Sequence, residues 1–209
     1  MRPHTEIQIR NSIEKSRNIF LKHIWPLWSD RLGAIGVVSV EGSQNLLESS
    51  ADRSGTDAFM VRHATGVLVP LASRVEYYDE VRNNPHNPKY LEHYPRFTIR
   101  LGKRNSDGTY NQDVEAERRM KALEDPVSRR YLPLYTFQSL VIENKNSFEV
   151  MQSSIVCTRK LFNYIKRKDL ANMQKGRPSF TSEQGDAYRI VTVEKLRNYG
   201  IEVHSVINT

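Results

Sequence analysis

The chain has 209 residues, with 31 Lys and Arg against 24 Asp and Glu for a formal charge of +7, and its pI is near 9.5. With 38% hydrophobic and 26% charged residues it carries enough apolar surface for a core, which excludes a natively unfolded tail and fits one domain. The longest uncharged apolar run, Gly33 to Val40, is far short of the roughly 20 residues that span a bilayer.

The start Met1-Arg2-Pro3-His4 runs directly into polar sequence, so neither a signal peptide nor a membrane anchor is expected. The single cysteine, Cys157, excludes an intrachain disulfide and a Cys-rich zinc cluster and fits a reducing, cytoplasmic setting. A basic pI favours polyanionic partners.

Ile9, Ile13, Phe20 and Ile24 recur at helical spacing with Arg10, Lys15, Arg17 and Lys22 between them, which predicts an amphipathic helix over residues 4–24. Pro26 ends it, and Trp25 and Trp28 wedge its end against the core. Residues 33–41, small and β-branched, read as a buried strand. Residues 58–61 read as a short strand, His63-Ala64-Thr65-Gly66 as a turn, and residues 67–77 as the second arm of a hairpin. Three prolines make 83–95 a loop. A strand follows over 96–101, then a turn at Asp107-Gly108, a helix over 114–123 and a strand over 131–143. Residues 147–173 read as a long helix, and 188–193 and 201–207 as short β segments. The expected architecture is α/β or α+β, with one central mixed sheet flanked by helices. Residues 4–143 hold the core, and 147–209 the basic helix and the last β segments.

Phosphate loops, dinucleotide fingerprints, nucleophile elbows and zinc-protease helices are missing from the sequence, which argues against nucleotide hydrolysis of the usual kind. The six histidines are dispersed without zinc-ligand spacing. The informative segment runs from Asp52 to Glu76. Asp57 follows Gly55-Thr56 and opens an apolar strand, and after the turn the chain returns as Leu71-Ala72-Ser73-Arg74-Val75-Glu76.

An acid at the start of one strand and a basic residue on the adjacent one resemble the PD-(D/E)XK nuclease superfamily, in the variant form with Gly-x-Asp on the first strand. The resemblance covers residues 4–143 in element order, and its specific part is about 20 residues. It implies a restriction-endonuclease-like core, an Mg²⁺ or Mn²⁺ cofactor, and hydrolysis of DNA phosphodiester bonds. By the same resemblance Asp57 holds the metal, Arg74 the phosphate, and Asp52 matches an acid that sometimes precedes the glycine. A helix before the hairpin often adds another acid, for which Glu14 is the better candidate and Glu6 the other.

One position departs from the pattern: Ala72 stands where the superfamily keeps Glu, Asp or Gln. A methyl group cannot coordinate a hard cation. Strand alternation puts Ala72, Arg74 and Glu76 on one face, so three readings stay open: Glu76 supplies a displaced carboxylate, the site is natively dead, or the acid has been engineered away. Arg74 keeps the electrostatic role of the basic position but is a poor proton acceptor.

From Arg159 to Arg177 seven Lys or Arg face one acid, Asp169. Arg159, Lys160, Lys166, Arg167, Lys168, Lys175 and Arg177 form the expected nucleic-acid footprint. Phe162 and Tyr164 lie among them, either to stack on an unpaired base or to join the core. The expected function is a metal-dependent nuclease acting on DNA, the alternative a catalytically inactive DNA-binding or regulatory protein of the same fold.

Overall fold

The computed structural model describes residues 6–40, 56–78, 95–103, 115–126, 132–144, 147–168, 180–181 and 186–207. Helix α1 (Glu6–Ile19) runs into a π-helical turn (Phe20–Ile24) and a 3₁₀ turn (Trp25–Leu27) that carries Pro26 in its first turn. The change of winding lets Phe20, Ile24, Trp25 and Trp28 all point inward, and each is buried. The Phe20 and Trp28 rings meet Phe137 edge-on at 5.4 and 6.2 Å. Trp28 Nε1 donates to Ser153 Oγ at 2.8 Å, so its polar edge is satisfied inside the core.

Six strands form the central sheet in the order β1 (Ala34–Ser39), β2 (Ala58–Arg62), β3 (Leu68–Tyr78), β5 (Tyr135–Asn144), β6 (Ser147–Cys157) and β9 (Val203–Ile207). Among the described strands of this sheet only β3 and β5 pair in parallel; the other neighbours are antiparallel. The crossover from β3 to β5 contains β4 (Arg96–Lys103) and helix α2 (Glu115–Glu124). After β6 come helix α3 (Thr158–Lys168), β7 (Phe180–Thr181), β8 (Asp186–Thr192) and the short helix α4 (Val193–Asn198), which Thr192 caps through its hydroxyl.

The mixed α/β class and the central mixed sheet agree with the sequence reading. Three expectations need correction. The described strands form two sheets, since β4, β8 and β7 make a second, three-stranded one. Residues 147–157 are a strand, and the helix begins at Thr158. A hairpin pairs Asn144 with Ser147, and residues 152–156 are buried on both faces, which erases the period-two alternation of a half-buried strand. Finally β1 is an edge strand among the described residues, with Ile35 and Val38 63% and 56% exposed.

Both faces of the central sheet are covered. On one, the α1 segment packs on Met60, Val69, Leu71, Phe137, Val141 and Ile155. On the other, β4, α3, β8 and α4 gather Phe97, Ile99, Leu161, Phe162, Ile165, Val191 and Leu196 around Val156. Truncating a fully buried Phe such as Phe137 to Ala costs about 3–5 kcal/mol. Residues after 147 supply two strands of the central sheet and one partner of β4, so the two parts of the chain interleave. Among the described residues no helix is long and apolar enough to cross a membrane.

Candidate functional site

Gly66 closes the hairpin between β2 and β3 at φ +63°, a backbone conformation that a Cβ disfavours. The register it sets pairs Ala58 with Leu71, so Asp57, one residue earlier, faces Ala72. Its backbone is fixed on both sides: Asp57 N donates to Leu71 O at 2.8 Å, and Asp57 O accepts from Val40 N at 2.9 Å. The carboxylate reaches across, and Oδ2 accepts the backbone N–H of Ser73 at 2.5 Å.

Alternation along β3 sends Leu71, Val75 and Tyr77 toward α1 and Ala72, Arg74 and Glu76 to the opposite face. There a cavity of about 290 Å³ opens between β3, β5, β4 and α3. Asp57, Ala72, Arg74, Arg119, Thr136 and Gln138 line it, together with Phe97 and Phe162. Asp57 and Arg74 therefore line one cavity. Among the described lining residues Asp57 is the one carboxylate and is accompanied by two arginines. Arg74 lies over the Tyr188 ring at 5.6 Å. Arg119, 4% exposed, donates to Thr136 Oγ1 at 3.4 Å and stacks on Phe162 at 5.5 Å.

Glu76 sits elsewhere and has another task. Four residues separate it from Ala72, about 13 Å along the strand, so it does not come beside Asp57. Its Oε2 accepts from Arg96 Nη2 at 2.9 Å, and its Oε1 from Thr98 Oγ1 at 2.8 Å and Gln138 Nε2 at 2.9 Å. Gln138 Oε1 in turn accepts the Thr98 N–H at 3.1 Å. Glu76 thus ties the second sheet to the first. The displaced-ligand role is corrected accordingly: both its oxygens serve buried donors.

Glu14 is exposed on the helix that covers the other face of the sheet. Ser16 of that helix touches the cavity, but Glu14 lies about 200° around the helix from it, so the structure does not bring Glu14 to the site. Asp52, Lys175 and Arg177 fall outside the described residues. Among those described, no group of three or more His, Cys, Asp and Glu is placed to hold a metal ion.

On α3, Leu161, Phe162 and Ile165 are fully buried, while Arg159, Lys160, Lys166 and Arg167 are exposed on the opposite arc. Lys168 ends the helix, its side chain outside the described set. Phe162 is core, and the half-buried Tyr164 packs edge-on against Tyr199 at 5.1 Å. Lys166 pairs with Glu124 of α2, and this contact holds the Glu124 carboxyl below the usual carboxylate range.

Sequence reasoning does not single out Arg119, Thr98, Gln138 or Arg96. Gln138 carries a signal, as an amide inside the apolar run Tyr135 to Ile142. Arg119 carries none, because Glu-Arg-Arg on a charged helix reads as a solvated face. Comparison of the chain with protein-family models, with curated proteins and with solved structures finds no match.

Proposed function

We propose that this protein is a cytoplasmic, metal-dependent nuclease of restriction-endonuclease-like fold, acting on DNA at the cavity behind Asp57. The observation that carries the reading is the convergence of Asp57, Arg74 and Arg119 on one cavity, across a hairpin whose second strand bears the basic residue. The helix that precedes the hairpin and the parallel crossover strand beside it support the same reading.

The donor set bears on the cation. Mg²⁺ is commonly held by one or two carboxylates, its remaining positions filled by water and substrate phosphate. One carboxylate in a cavity lined by two arginines fits that mode and does not fit an all-protein cage. Asp57 would hold Mg²⁺ or Mn²⁺ together with the substrate, and a bound ion would supply an activated water and a polarised phosphoryl oxygen. The chain's own part is electrostatic. Arg74 and Arg119 offset the charge that grows on the phosphate. The low-dielectric walls, Phe97 and Phe162, strengthen that interaction.

Ala72 favours a second reading, a DNA-binding protein of this fold without catalysis, since it leaves Asp57 the one described carboxylate of the cavity. Ala72→Glu separates the two. It adds a carboxylate opposite Asp57, and a metal-titrated cleavage assay on single- and double-stranded DNA and RNA should show cleavage by the wild type that increases in the variant. Absence of cleavage in both, with the variant folded and DNA still bound, selects the binding protein.

A further inference from the structure

A second cavity, of about 390 Å³, lies at the end of the central sheet where β5 begins and β6 ends. Its size falls within the range of small-ligand sites, about 300–1,000 Å³. Trp28, Leu134, Tyr135 and Ile155 give it an apolar and aromatic floor, and Arg31 and Lys160 stand among its lining. The floor is rigid: Leu134 N donates to Pro70 O at 2.7 Å, and Thr158 N donates to Leu134 O at 3.0 Å. Arg31 lies over the Trp28 ring at 5.6 Å. Glu202, the one acid of the described lining, lies 3.2 Å from His204, and Arg31 and Lys160 outnumber it, so the rim is cationic on balance.

The two cavities lie along one transverse row of the sheet. Ala72 pairs with Thr136, and Thr136 with Val156. The first two residues line the Asp57 cavity, the third lines this one. Two strand spacings separate Ala72 from Val156, about 10 Å. Trp28 and Ile155 hold the second cavity to the face that α1 covers, so a strand that enters both cavities turns around the sheet end, where β5 begins and β6 ends.

We propose that this second cavity is a nucleotide subsite that takes an unpaired base over its Leu134–Tyr135 floor and the adjoining phosphate between Arg31 and Lys160. The inference rests on the nucleic-acid reading above and gives it a substrate class: single-stranded or frayed DNA, because a base inside a duplex stack cannot enter. Stacking suits any base, since each offers a π face, so the subsite selects strandedness and not sequence.

Binding of a short fluorescent oligothymidylate, measured in a metal chelator so that no cleavage intervenes, tests the subsite. Arg31→Glu with Lys160→Glu should raise Kd at least about tenfold, whereas Lys22→Glu, a charge reversal at an exposed position on the α1 segment, should leave it nearly unchanged. An abasic strand of the same length should bind the wild type about tenfold more weakly, as expected when one base no longer stacks. Both altered residues are exposed, so the variant should fold, which circular dichroism verifies. Equal losses of affinity in the cavity variant and the Lys22 control, or equal affinity for the abasic and normal strands, would overturn the proposal. Those results leave metal-dependent cleavage untouched, and base-dependent binding by a protein that never cleaves would retain the subsite while removing the nuclease.

Discussion

The Asp57 carboxylate accepts the Ser73 backbone N–H at 2.5 Å, where the ladder between β2 and β3 ends at the pair Ala58 and Leu71. The residue assigned to the metal therefore also secures the strand that carries Arg74. Asp57→Asn keeps an acceptor oxygen for Ser73 and should lower stability little. Asp57→Ala strands that N–H and should cost about 1–3 kcal/mol. Urea denaturation of the two variants checks the difference, and equal stability would mean that the hydrogen bond contributes nothing to the fold.

Glu76 should behave as a structural residue. Its partner Arg96 has a side chain only 6% exposed, and removing one member of a buried ion pair costs about 3–5 kcal/mol. Glu76→Ala should show that loss in urea denaturation with or without metal present. A variant of wild-type stability that had lost metal affinity would return Glu76 to the metal site.

The exposed arc of α3 should hold DNA phosphates. Charge reversal of Arg159 and Arg167 should weaken DNA binding alike for all sequences, and for every phosphate that is no longer neutralised the slope of log affinity on log salt should flatten by about 0.9 on a duplex. Fluorescence anisotropy across a salt series reads both quantities. A slope equal to that of the wild type would exclude this arc from the interface.

Lys166 gives the same helix a pH signature. Its ion pair holds the Glu124 carboxyl below the usual range, so whatever stability the pair adds is complete above the ordinary carboxylate pKa and is lost as pH falls through the lowered one. Both side chains are largely exposed, and the contribution is small and screened by salt. In an NMR titration Glu124 should have a midpoint below that of an ordinary glutamate, and Lys166→Ala should bring it back up.

Much of this arrangement is legible in the sequence because it is local. The hairpin that sets Asp57 opposite Ala72 follows from two apolar runs around a Gly-containing turn, and the α1 segment from helical spacing closed by Pro26. What escapes is long-range. Residues 152–156 are buried on both faces, so the segment lacks strand alternation and β6 reads as the start of a helix. Glu76 shares a face with Arg74, as alternation requires, but Arg96, Thr98 and Gln138, which take up its oxygens, come from β4 and β5. No local pattern announces that meeting. Arg119 reaches the cavity through tertiary packing of a helix that looks solvated in sequence.

The most direct test of the catalytic assignment is the rate of DNA cleavage as Mn²⁺ is titrated into the wild type and into Asp57→Asn. Loss of several kcal/mol of transition-state stabilisation corresponds to a rate at least about a hundredfold lower. The assignment expects cleavage that saturates with metal in the wild type and falls by that factor in Asp57→Asn, with the fold intact by circular dichroism. Metal-dependent cleavage of equal rate in both proteins would contradict it.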